Sequence, residues 1–177
     1  MGTVRRTATD AERRALASGL RLRILRLCLD EPRTNREIAE RLGRHPATTL
    51  HHVRTLVDTG FLVAEPVRRG TRGSREIPYR ATRLSWELDV DDDPGPEVSA
   101  MLEAFLAEVR DVSPEDVRTA RLGLRLRADE LEEFHGRLQE VLDEYAARPP
   151  SPDGEPFSVF LAIHPDAGRA WPLGGTG

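Results

Sequence analysis

Two adjacent histidines, His51 and His52, sit inside "HPATTLHHVRTLVDTG" at residues 45–60. An imidazole can ligate a metal, move a proton or hydrogen-bond a polar surface. Ligation from a helix favours donors three or four residues apart, whereas neighbours point about 100° away from each other. His135 and His164 stand alone and far off in the chain. The single cysteine, Cys28, lies in the apolar "LRLRILRLCLDE", where a buried thiol is the expected reading. Neither a nucleophile nor an orienting acid accompanies the histidines. The residues therefore point away from an enzyme, a metal site or a bound cofactor.

What remains is surface recognition. Pro46 suits the first position of a helix, and Leu50, Val53, Leu56 and Val57 fall on one apolar stripe. The opposite side then offers Ala47, Thr48 and His51, with His52 and Arg54 on its flank. Small residues allow close approach to base edges. Thr48 can hydrogen-bond or touch a thymine methyl, and His51 can donate to a base or a phosphate. For His52, packing against the bracing helix is an equal alternative. Downstream, "RRGTRGS" at 68–74 makes a basic, Gly-containing tip, and arginines there suit phosphates or a narrow minor groove. The candidate DNA-contacting set is Arg44, His45, Ala47, Thr48, Thr49, His51, His52 and Arg54, with Arg68, Arg69, Arg72 and Arg75 at the tip.

These residues need positioning elements. "TDAERRALASG" predicts a helix capped by Thr9 or Asp10 and interrupted at Ser18 and Gly19. "LRLRILRLCLDE" continues as a helix with Leu20, Ile24, Leu27 and Cys28 on one side. "TNREIAERLG" pairs Thr34 with Glu37 as a capping box and stops at Gly43. After the His-containing helix, "FLVAEPV" and "REIPYRAT" predict two short strands flanking the basic tip, with Pro66 and Pro78 implying edge-like pairing. "DVDDDPGPE" reads as a linker. Beyond it, 97–111 predicts a helix, 120–127 a strand of alternating leucines, 128–147 an amphipathic helix and 157–165 a strand. "SPED" at 113–116 starts at most a helical turn. The whole is α+β and mainly α. It places a winged helix-turn-helix over 1–88, a linker at 89–96 and a helix-strand-helix-strand module at 97–177, with a disordered tail.

Charge follows the same division. Residues 1–90 hold 18 Arg against 11 acids, and residues 91–177 hold 8 Arg against 19 acids, for a net charge of −4. A basic front half suits a polyanion, and an acidic back half does not. Apolar residues make up 38% and charged residues 32% of the chain, and no apolar run approaches the ~20 residues of a membrane span. A cytoplasmic protein without membrane contact is expected.

The stretch from "LRLRILRLCLDEP" through "TNREIAERLGRHPATTLHHVRTLVDTGFL" to "REIPYRAT" resembles the ArsR-type winged helix-turn-helix transcriptional regulators in their actinobacterial form. The resemblance covers roughly residues 10–82 and rests on "REIAERLG", on His52, Val53 and Leu56, and on the "TGFL" exit into the wing. It implies a homodimeric regulator, a repressor, on palindromic double-stranded DNA, with the back half dimerising and open to an unidentified small-molecule effector. The Cys-x-Cys of the metal-sensing members is missing from "REIAERLG", so metal sensing does not carry over. The alternative is a winged helix used as a protein-interaction module, its arginines binding an acidic protein partner.

Overall fold

The computed structural model describes residues 5–70, 73–89 and 95–169. These divide into two compact units, which meet in sequence between Val117 and Arg118.

The first unit begins with strand β1 (Arg6–Thr7) and helix α1 (Asp10–Leu16). Thr9 caps α1 with a full capping box, since Glu12 returns a carboxylate to the Thr9 backbone N–H. Ser18 opens α2 (Gly19–Leu27), so the interruption expected at Ser18 and Gly19 is a break between two helices. Strand β2 (Arg33–Thr34) leads into α3 (Asn35–Arg41) through the Thr34–Glu37 capping box. Gly43, at φ +60°, ends that helix in the left-handed conformation that glycine adopts without strain. Helix α4 (Pro46–Asp58) follows, then β3 (Leu62–Ala64), β4 (Arg68–Arg69), β5 (Arg75–Glu76) and β6 (Pro78–Ala81). A 3-10 turn over Leu84–Trp86 precedes β7 (Leu88–Asp89).

Pairing runs β2-β6-β3, all antiparallel, with β4 on β5 as the hairpin tip and β7 parallel to β1. β6 is therefore central rather than an edge. It tolerates Pro78 because that residue is its first, where the missing N–H breaks no interior ladder bond. The core is Ile24 from α2 and Cys28 just past its end, Ile38 from α3, Val53 and Leu56 from α4, with Phe61 and Leu62 at the entry to β3, all essentially without solvent exposure.

Helix α5 (Gly95–Val109) corrects the expected boundary. It belongs to the first unit, which extends to Val117 instead of stopping at residue 88. α5 packs on α1 and α2. Ala100 and Ala104 are buried, Arg13 pairs with Glu97 at 3.3 Å, and Arg26 pairs with Glu108 at 3.3 Å. Gly19 permits the approach, because a Cβ there would lie 3.2 Å from the Ala100 carbonyl oxygen. Most of the linker expected at 89–96 lies outside the described residues.

The second unit holds α6 (Ala128–Ala147), with the bounds the sequence pattern predicts. "SPED" forms a single 3-10 turn, Pro114–Asp116, in the first unit. Residues 120–127 and 157–165 are not strands, against expectation. Alternation marks a strand only where a neighbouring strand accepts its N–H and C=O groups. Here Leu122, Phe157 and Val159 are 73%, 84% and 69% exposed, and neither segment enters a ladder. Among the described residues no helix is long and apolar enough to cross a membrane.

Candidate nucleic-acid interface

α4 is held by its ends and one face. His45 caps it, with Nδ1 accepting from the Ala47 N–H at 3.2 Å, and Pro46 occupies the first turn. Asn35 Nδ2 donates to the Pro46 carbonyl at 2.9 Å, which ties the start of α3 to the start of α4 across the turn. Thr49, Val53 and Leu56 form the buried row. Leu50 and Val57 are half-buried on its flanks. The buried row is thus centred one residue away from the stripe that the leucines predict.

Thr49 is the residue this displaces. Counted among the candidate DNA contacts, it is 1% exposed, and its hydroxyl donates to the His45 carbonyl at 3.2 Å. A threonine satisfied by the carbonyl four residues earlier can bury its methyl like a small apolar residue. It is therefore inaccessible from outside. Arg44, His45, Pro46, Ala47, Thr48, His51 and Arg54 are exposed. From Arg44 to Val57 the sequence has no Asp or Glu, so no carboxylate of this helix opposes an anion until Asp58.

His52 is half-buried, and its Nδ1 is buried without a hydrogen-bond partner. Burial holds its pKa below the ordinary imidazole value, and the nearby Arg21 and His51 push the same way. Burial thus favours the neutral ring, and His52 is less exposed than its neighbour His51. The two rings meet edge-on, with centroids 5.6 Å apart. No group of three or more His, Cys, Asp or Glu that could hold a metal occurs among the described residues.

At the wing, Gly70 N–H donates to the Ser74 carbonyl at 2.8 Å, and Gly73 at φ +77° closes the tip. Arg69 and Arg75 are exposed and stand directly opposite each other across β4 and β5. Arg68 is engaged differently, since it pairs with Glu37 at 2.6 Å and faces Glu76 at 3.9 Å. Arg72 lies outside the described residues. Sequence reasoning missed the Glu37–Arg68 pair and the Asn35–Pro46 tie. Both join residues 11 or more apart in the chain, and only the spare carboxylate oxygen of a capping-box Glu hinted at the first.

Residues 16–69 match a family described as a helix-turn-helix domain, a stretch that runs from the end of α1 through β4. The chain carries a helix-turn-helix, here followed by a wing. Among solved structures, the transcriptional regulator SlyA is 15% identical, over 72% of this chain and 76% of that chain, with a TM-score of 0.33. No curated protein is similar enough to count as a match.

Proposed function

We propose that this helix-turn-helix protein is a sequence-specific, DNA-binding transcriptional regulator of the ArsR type, acting as a dimeric repressor in the cytoplasm. α4 enters the major groove with Ala47, Thr48, His51 and Arg54, and Arg44 and His45 lie at its leading end. Arg69 and Arg75 of the wing meet phosphates or a narrow minor groove.

The observation that carries this reading is the charge arrangement. The same unit holds an exposed helix face without carboxylates and a hairpin on which two arginines stand directly opposite. Like charges in that register destabilise a hairpin. A polyanion lying across both relieves the repulsion and gains counterion release. The resemblance of "REIAERLG" and "TGFL" to ArsR-type regulators supports the finer assignment.

A dimer is part of this proposal, since one winged helix covers one half-site and a palindromic site would take two. Val98, Met101, Leu102 and Leu106 on α5 are each more than 40% exposed, an apolar row suited to a second copy. Taken by itself, the second unit exposes Phe157 and Val159, and its shallow apolar groove between residues 122–126 and α6 is the candidate seat for a small-molecule effector. The test is retention of random-sequence and source-genome duplexes at moderate salt. Enrichment of discrete palindromic fragments supports the proposal. Failure to retain any duplex, with capture of acidic polypeptides instead, overturns it in favour of a protein-interaction module.

A further inference from the structure

Arg68 stands in the wing's basic cluster, yet its surroundings differ from those of Arg69 and Arg75. Its guanidinium donates to Glu37 Oε1 at 2.6 Å, across 31 residues of chain, and faces the Glu76 carboxylate that is its cross-strand partner. Glu37 is already in use. Its other oxygen, Oε2, accepts from the Thr34 N–H at 2.7 Å and from the Thr34 hydroxyl at 3.0 Å, which closes the capping box of α3. Burial raises the Glu37 pKa, but those bonds and the Arg68 charge outweigh it, so the carboxylate is held below its ordinary range. One side chain thus fixes the start of the helix that braces α4 and also grips the base of the wing.

We propose that Arg68 is a positioning residue rather than a phosphate contact, and that Glu37 couples the wing to the helix-turn-helix so that α4 and the hairpin tip present one preset surface to DNA. This rests on the DNA-binding reading for its consequence but not for its structural content. A cation already paired with one carboxylate and facing another has little charge left for a phosphate. Arg69, one residue on, has an arginine opposite it where Arg68 has Glu76. A preset wing also reduces the ordering that binding would otherwise require.

The test compares Arg68→Ala, Glu37→Gln and Arg69→Ala in the full chain, by amide hydrogen exchange without DNA and by salt titration of duplex binding. Gln at position 37 keeps the capping box, since its amide oxygen can still accept from Thr34, and presents an uncharged NH2 donor to Arg68 in place of the carboxylate oxygen. The Gly70 and Gly73 amides, both hydrogen-bonded within the hairpin, should exchange about two- to five-fold faster in Arg68→Ala and Glu37→Gln, the range for a partly exposed ion pair. They should be unchanged in Arg69→Ala. Arg68→Ala should weaken duplex binding with an unaltered slope of log K against log salt, whereas Arg69→Ala should flatten it by about 0.9. Unchanged wing exchange in both Arg68→Ala and Glu37→Gln overturns the coupling. A slope flattened by Arg68→Ala as much as by Arg69→Ala makes Arg68 a phosphate contact and overturns the assignment. If the unmodified protein binds no duplex, the DNA-binding reading fails while the exchange result still decides the coupling.

Discussion

Cutting the chain after residue 89 removes α5, the helix that the sequence pattern assigns to the back half and the fold assigns to the front. The cost can be scaled from what α5 buries and pairs. Ala100 and Ala104 are 4% and 6% exposed, and burying one methyl or methylene is worth about 0.8 kcal/mol. The Arg13–Glu97 pair is mostly buried and the Arg26–Glu108 pair is more open. Partly exposed pairs of this kind contribute about 0.2–1 kcal/mol each. α5 therefore supplies about 2–4 kcal/mol, a large share of the roughly 5–15 kcal/mol that holds a domain folded. For a domain this size each kcal/mol moves the melting midpoint by about 4–8 °C, so the 1–89 fragment should melt roughly 10–25 °C below a 1–117 fragment. Thermal melts followed by far-UV circular dichroism read this directly. Midpoints agreeing within about 3 °C would refute the reasoning and return α5 to the back half.

The Glu12 carboxyl is held down at about 2, chiefly by the Arg6 guanidinium on both oxygens and then by Thr9, against the upward push of burial. Its folded value lies below the ordinary carboxylate value, so its stabilisation is complete above about pH 4.5 and is lost as pH falls towards 2. Glu12→Gln should lower the midpoint at pH 7 and flatten the acid limb of the stability profile in that window, as chemical denaturation across pH would read. Burial pushes the Cys28 thiol up to about 11. At pH 8 the native protein should leave a thiol reagent unreacted, and the denatured protein should consume one equivalent. Replacing Leu102 and Leu106, both exposed on α5, with Glu should shift the protein from dimer to monomer in sedimentation without changing its helical signal.

The helices were legible because their signals are local. Thr9 with Glu12, Thr34 with Glu37, Pro46, and Gly43 and Gly60 each mark an end through groups within a few residues of one another. Strands were less so. β1, β2 and β7 have two residues each, too few for alternation, and exist because distant segments pair with them. The reverse error came at 120–127 and 157–165, where alternation is strong and no partner strand follows. Within the site, apolar periodicity located α4 but not its rotation to one residue, because the Thr49 hydroxyl is satisfied internally and so buries. Charge counting found the wing but gave its arginines equal standing. Only the fold brings Glu37 to Arg68 and leaves Arg69 facing Arg75.

The central claim is that α4 reads bases while the wing holds the backbone. It is tested most directly by titrating salt against binding of a selected genomic duplex and a random duplex, for two double variants. Arg69→Ala with Arg75→Ala should weaken both duplexes alike and flatten the slope of log K against log salt by about 0.9 for each phosphate no longer neutralised. Thr48→Ala with His51→Ala, both exposed on α4, should leave that slope nearly unchanged. It should reduce preference for the selected duplex by about 1–3 kcal/mol for each base no longer read. Loss of discrimination by the wing variant alone, with the helix variant keeping it, contradicts this division of labour.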